Sequence, residues 1–171
     1  MMRWLLVLLA CFSLHALAET RNPETHFFQP KMGDLKDDLD SARAEAKTGM
    51  LLMFEMDECP FCDRMKRTVL NQAEVQDYFR KHFVIYPIDT KGDIPLVDFT
   101  GKSTTEKAFA LEQRARATPV FIFYNLDGQP IARYTGATQT PAEFLLLGRY
   151  VVEGAYKQMP FSAYKRLAPT Q

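Results

Sequence analysis

Apolar and polar positions switch between two periods along the chain. In "DLKDDLDSARAEAKTG", Leu35, Leu39, Ala42 and Ala46 recur at helical spacing, and the pattern predicts a helix that ends at Gly49. "MLLMFEM" is a continuous apolar run of strand length, as expected for a central strand covered on both faces. Helical spacing returns in "DRMKRTVL" through Met65, Val69 and Leu70, and in "EVQDYFRKHF" through Val75, Tyr78 and Phe79. "FVIYPID" is the next strand. "TKGDIPLVDFTGK", punctuated by Gly92, Pro95 and Gly101, reads as an irregular insertion. "STTEKAFALEQRARA" reads as a helix opening on a capping box, Ser103 to Glu106. "TPVFIFY" and "QPIARYTG" are strands joined by a turn through Asp127-Gly128. "TPAEFLLLGRYVVEGAYK" then opens a helix on Thr140 and Glu143, with Pro141 at its first position, and "FSAYKRL" forms a short tail helix. A strand–helix–strand unit followed by a hairpin and a covering helix predicts a single α/β domain with a mixed central sheet flanked by helices.

The first twenty residues, "MMRWLLVLLACFSLHALAET", break this pattern. Arg3 gives a short positive start, Trp4 to Leu14 an apolar run, and Ala16-Leu17-Ala18 a small-x-small cleavage site. The run is too short to span a bilayer. Residues 1–18 are therefore expected to be a signal peptide, 19–33 an extended lead-in, and 34–171 the folded domain with an insertion around 90–103. The 21 basic and 21 acidic groups cancel, which argues against nucleic acid or an anionic membrane as the main partner. Cleavage would remove Cys11 and leave Cys59 and Cys62 as the only thiols, in an oxidising, exported compartment.

Those two stand in "FEMDECPFCDRM", separated by Pro60 and Phe61. A disulfide between them would close almost no loop, so stability is a poor explanation for the pair. A c-type haem site would require His after Cys62, and Asp63 stands there. Structural zinc would need two further ligands, and the mature chain offers only His26 and His82 without motif spacing. Met50, Met53 and Met56, with the cysteines, would suit Cu(I), but strand parity turns Met53 away from Met50 and Met56. No metal is assigned. Thiol–disulfide exchange needs one ionisable thiol with a second close behind it. On a strand-to-helix turn, Cys59 is expected to be the exposed attacking thiol beside the helix N-terminus, and Cys62 the buried resolving thiol. Pro60 suits the first helical position. Thr118-Pro119 precedes a strand, where a cis bond facing the CxxC turn and a trans-Pro opening an edge strand are both open readings.

With CxxC on such a turn and "TPVFIFYNLDGQPIARYTG" downstream, the chain resembles the thioredoxin superfamily. More narrowly it resembles the exported SoxW-like thioredoxin-related proteins, through "MFEMDECPFCDRM", "VQDYFRKHFVIYPIDTKGD", "FTGKSTTEKAFA", "RARATPVFIFYNLDGQPIARYTG" and "GRYVVEGAYKQMPFSAY". The resemblance implies a thioredoxin fold without a cofactor, with Cys59 as nucleophile, Cys62 as resolving thiol and Pro119 as cis-proline. Pro60, Phe61, Thr118 and Pro119 would then meet the client. It also implies a periplasmic monomer that acts on disulfide-bearing client proteins and draws electrons from a membrane donor of the DsbD/CcdA kind. The chain departs from ordinary thioredoxin by carrying Met53 where that family has a buried Asp six residues before the first cysteine. Glu55, of the same strand parity, is the expected replacement as proton acceptor for Cys62. Asp57, Glu58 and Asp63 oppose a thiolate at Cys59, whereas Arg64, Lys66 and Arg67 favour it. A reductase fed by the membrane donor is the leading reading, a DsbA-like oxidant is the first alternative, and a periplasmic copper-binding module is the alternative from another class.

Overall fold

The computed structural model describes residues 19–168; the expected signal peptide lies outside the described residues. Among these residues seven α-helices and six strands follow one another, beginning with α1 (Pro23–His26), α2 (Leu35–Ala44), β1 (Gly49–Glu55), α3 (Pro60–Thr68), α4 (Ala73–His82) and β2 (Phe83–Asp89). They continue with β3 (Pro95–Val97), β4 (Ser103–Thr105), α5 (Glu106–Glu112), β5 (Val120–Tyr124), β6 (Pro130–Thr135), α6 (Pro141–Val152) and α7 (Phe161–Leu167). The main sheet runs β2-β1-β5-β6, with β1 parallel to β2 and antiparallel to β5, and β5 antiparallel to β6. This is the mixed sheet that the hydrophobic pattern implies.

Strand β1 is central, so both of its faces are covered. Leu51 and Met53 join a cluster with Cys62 and Met65 of α3, Phe79 of α4 and Phe144 of α6. Met50, Leu52 and Phe54 face the other way, against Leu35 and Leu39 of α2 and Phe109 of α5. Met50 and Met53 thus separate as parity requires. Met56 lies beyond the end of the strand and packs on the cysteine side, contrary to its expected grouping with Met50, because strand alternation stops at Glu55.

Gly49 does not end a helix. It opens β1, where a Cβ would fall on the carbonyl oxygen of Tyr124 in the neighbouring strand. Helix α2 stops earlier, with Ala46 in the left-handed region at φ 54°. The expected capping box at Ser103 is also displaced. Residues 103–105 form β4, and Thr105 caps α5 by accepting the Ala108 N–H at 3.3 Å. The 90–103 segment is less irregular than its composition suggests, since β3 pairs with β4 and Leu96 is buried under the sheet. Asp98 holds the connecting turn, its Oδ1 accepting from the Thr100 hydroxyl at 2.7 Å and from the amides of Thr100 and Lys102. At α6, Thr140 caps the helix as expected, accepting the Glu143 N–H at 3.2 Å, with Pro141 behind it.

The larger departure is the lead-in, which is not simply extended. Asn22 caps the single turn of α1, with Pro23 at its first position. Gln29 then lies along the outer edge of β2, its amide donating to the Ile85 carbonyl at 3.0 Å and its side chain accepting the Ile85 N–H at 2.6 Å. Phe27, fully buried, packs its ring among Phe28, Phe79 and Phe144. The segment therefore belongs to the core and covers an edge that would otherwise present unpaired backbone groups. Phe27→Ala is expected to cost about 3 to 5 kcal/mol in denaturant unfolding. A loss below about 1 kcal/mol would show that the segment only rests on the surface.

Candidate active site

Glu58, in the left-handed region at φ 56°, turns the chain after β1 so that Cys59 reaches the N-cap position of α3. Its Sγ accepts the Cys62 N–H at 3.2 Å, and Pro60 stands at the first helical position. Cys59 and Cys62 are joined as a disulfide, with their Cα atoms 5.3 Å apart. Phe54 pairs with Val120 across β1 and β5, so the residues just after β1 lie beside those just before β5. Thr118 is among the latter, and its hydroxyl donates to Cys59 Sγ at 3.1 Å. The Thr118–Pro119 peptide bond is cis.

Cys59 was expected to be exposed, yet it is only 5% accessible, against 2% for Cys62. The side chain of Thr118 lies against its sulfur, so the two thiols differ in their partners more than in their exposure. The open surface of the pair is provided by Phe61, which is 59% exposed. The Arg64 guanidinium lies 5.8 Å from the centre of that ring, and Arg64 also donates to the Gln139 side chain at 3.2 Å.

Met53, at the position of the missing Asp, is fully buried in the same cluster as both cysteines. Glu55 lies two residues on, at the end of the strand and of the same parity. The Lys66 ammonium lies 2.8 Å from its carboxylate and also 2.8 Å from Glu24 of α1. The same ammonium lies 5.5 Å from the centre of the Phe28 ring. Burial pushes the Glu55 carboxyl above the ordinary glutamate range, although Lys66 pulls the other way. Lys66 is four residues after Cys62, so both project from one side of α3, and that spacing was a usable sequence signal. Glu24 and Gln139 gave no such signal, since only the folded chain brings them to the site.

The constellation is a disulfide at a helix N-terminus, a hydroxyl on its first sulfur, a cis X-Pro bond beside it and an acid at the strand end. That defines a thiol–disulfide oxidoreductase built on a thioredoxin fold. A family model of the thioredoxin-like domain matches residues 35–152, and the chain belongs to that family. Among solved structures it is similar to a thioredoxin-fold protein from Helicobacter pylori, at 22% identity and TM-score 0.58, over 71% of this chain and 84% of that one. A thioredoxin from Thermus thermophilus aligns at 25% identity and TM-score 0.53, over 68% and 82% of the two chains. The DsbH oxidoreductase aligns at 15% identity and TM-score 0.56, over 80% and 92%. No curated protein matches the sequence.

A hydrogen bond to a thiolate is worth about 1.5 kcal/mol or more, so the Thr118 hydroxyl favours the ionised, reduced form of Cys59. Thr118→Val is expected to raise the Cys59 thiol pKa by about one unit. The same change should make the pair more reducing by roughly 30 mV. The pH dependence of iodoacetamide alkylation and a glutathione redox titration read these two quantities. An unchanged thiol pKa would show that the hydroxyl does not act on the thiolate.

Proposed function

We propose that this chain is an exported, monomeric protein-disulfide reductase, working in the periplasm without a cofactor and re-reduced by a membrane electron donor of the DsbD/CcdA kind. The observation that carries the reading is the setting of Cys59, whose sulfur faces two hydrogen-bond donors beside the exposed Phe61. Export rests on the signal-like first eighteen residues and on the SoxW-like resemblance of the motifs. No helix among the described residues is long and apolar enough to cross a membrane.

In the proposed cycle the Cys59 thiolate attacks one sulfur of a client disulfide, and the other client sulfur leaves as a thiolate. Phe61, Pro60, Thr118 and Pro119 supply the surface on which the client chain lies. Cys62 then attacks the Cys59 sulfur of the mixed disulfide and passes its proton to the Glu55 carboxylate. The second client thiolate leaves, and the pair is oxidised by the two electrons the client has gained. The engagement of Lys66 weighs toward a reductant, while Arg64 and Arg67, free of ion pairs among the described residues, weigh the other way. Lys66 is engaged by two carboxylates and so supports a Cys59 thiolate less than its sequence position implies, while Asp57, Glu58 and Asp63 are free of ion pairs among the described residues. A less stabilised thiolate makes a stronger reductant.

Equilibration with glutathione should place the pair well below ~−120 mV, the potential of a strong dithiol oxidant, and nearer ~−270 mV. A value close to the former would replace the reductase with an oxidant. Cys62→Ser, expressed with its leader, should accumulate mixed disulfides on Cys59 in the periplasm, and these identify the client.

The acid is tested separately. Glu55 must be ionised to accept a proton, so resolution should slow as pH falls through its raised pKa, giving an acid limb above the ordinary glutamate range. Glu55→Gln should abolish that limb and slow resolution by about 100-fold. An unchanged rate and profile would remove Glu55 from the mechanism.

A further inference from the structure

The thioredoxin-like family model begins at residue 35, yet the nearest charges around Glu55 include one from outside it. Glu24, on the single turn of α1, reaches Lys66 at 2.8 Å, and Lys66 reaches Glu55 at the same distance. One ammonium is thereby divided between two carboxylates that lie 31 residues apart in the chain. The arrangement is built rather than incidental. Phe27 and Phe28, directly after α1, are buried in the core, and the Lys66 ammonium lies 5.5 Å from the centre of the Phe28 ring. Helix α3 carries Lys66 and Cys62 on one side, so the carboxylate from the lead-in acts on the lysine that faces the proposed acid.

We propose that Glu24 is a positioning residue of the active site, by which the N-terminal segment divides the charge of Lys66 and thereby sets the proton affinity of Glu55. The inference rests on the reading of Glu55 as proton acceptor. The other charged groups facing Glu55 are Asp89, its register partner on β2, and Lys31 of the lead-in, whose ammonium is paired with the buried Glu106 of α5. Asp57 and Glu58, just beyond the strand, are exposed. Of these groups, Glu24 alone shares the cation that Glu55 uses. With Glu24 ionised, Lys66 stabilises the Glu55 carboxylate less, and the two carboxylates repel each other directly. Both effects hold the proton more tightly on Glu55 and make it a stronger base toward the Cys62 thiol.

The test loads Cys59 of the reduced, signal-free protein with nitrothiobenzoate from its symmetrical disulfide. It then follows release of the second nitrothiobenzoate anion, the concentration-independent phase in which Cys62 resolves the mixed disulfide. Side-chain carboxyl NMR reads the Glu55 titration directly. Glu24→Gln should lower the Glu55 midpoint, and shift the acid limb with it, by roughly half a unit to one unit. Lys66→Gln should move both in the opposite direction, and Lys66→Arg should restore them. A purely structural role would not give opposite signs. If Glu55→Gln abolishes the limb but Glu24→Gln moves neither limb nor midpoint, the inference is overturned and the acceptor reading stands. If Glu55→Gln leaves the limb in place, the acceptor reading fails, and this role for Glu24 fails with it. Thermal unfolding of each variant confirms that the comparison is made between folded proteins.

Discussion

At the start of α3 a sulfur occupies the place where a helix cap ordinarily carries an oxygen. Asn22, Asp34, Thr105 and Thr140 cap their helices through oxygen acceptors, and among the described residues Cys59 alone does so through Sγ. A neutral thiol is a weak acceptor, but a thiolate is a strong one, so capping and ionisation reinforce each other. The unpaired amides at that terminus therefore favour the reduced, ionised state of the residue that caps them. Placement of the cap depends on the register of β1, which ends at Glu55, four residues before the sulfur. The antiparallel match of Phe54 with Val120 then brings the Thr118 hydroxyl to the same sulfur across 59 residues of sequence. Redox chemistry and sheet register are one constraint in this fold.

The same strand ends organise the charges. Lys31 and Glu106 form an ion pair beneath the C-terminal ends of β1 and β2, and Glu106 also accepts the Asp89 N–H at 2.8 Å. Glu106 is 1% exposed, and a carboxylate so deeply withdrawn from water is tolerated only with such partners. Lys31 comes from the lead-in, as does Glu24. The segment therefore supplies one partner to each of two carboxylate systems while its phenylalanines fill the core. It behaves as part of the domain, although the family pattern starts after it.

Much of the fold was legible in the alternation of apolar and polar positions, because β1, β2 and β5 are buried runs and α2, α4 and α6 carry one-sided apolar stripes. The cysteine pair and the strand after Thr118-Pro119 were legible for a chemical reason, since few arrangements other than thiol exchange make sense of CxxC without further ligands. What escaped was whatever depends on distant partners. Phe27 and Phe28 sit in a polar, proline-containing stretch, and nothing local says that both are buried or that the Phe27 ring reaches across to α4 and α6. Gly49 looked like a helix stop because a close approach to the Tyr124 carbonyl leaves no trace in its neighbours. Ser103 looked like a cap because β4 is only three residues long and pairs with an equally short β3, too little for alternation to register. The burial of Cys59 escaped because the hydroxyl resting on its sulfur comes from another strand's end.

The location of the proposed proton acceptor follows from the same packing. Met53 is fully buried within an apolar cluster, and a carboxylate there would lose its hydration. Two residues further, parity returns the side chain to the same face, but the strand has ended and Lys66 can reach in from α3. Glu55 thereby keeps enough burial to hold its proton above the ordinary range, while its partner keeps the ionised form accessible. A general base needs both properties, since an acid that never ionises accepts nothing and one that ionises too readily accepts poorly. Moving the carboxylate to the end of the strand meets both conditions with residues that the core does not need.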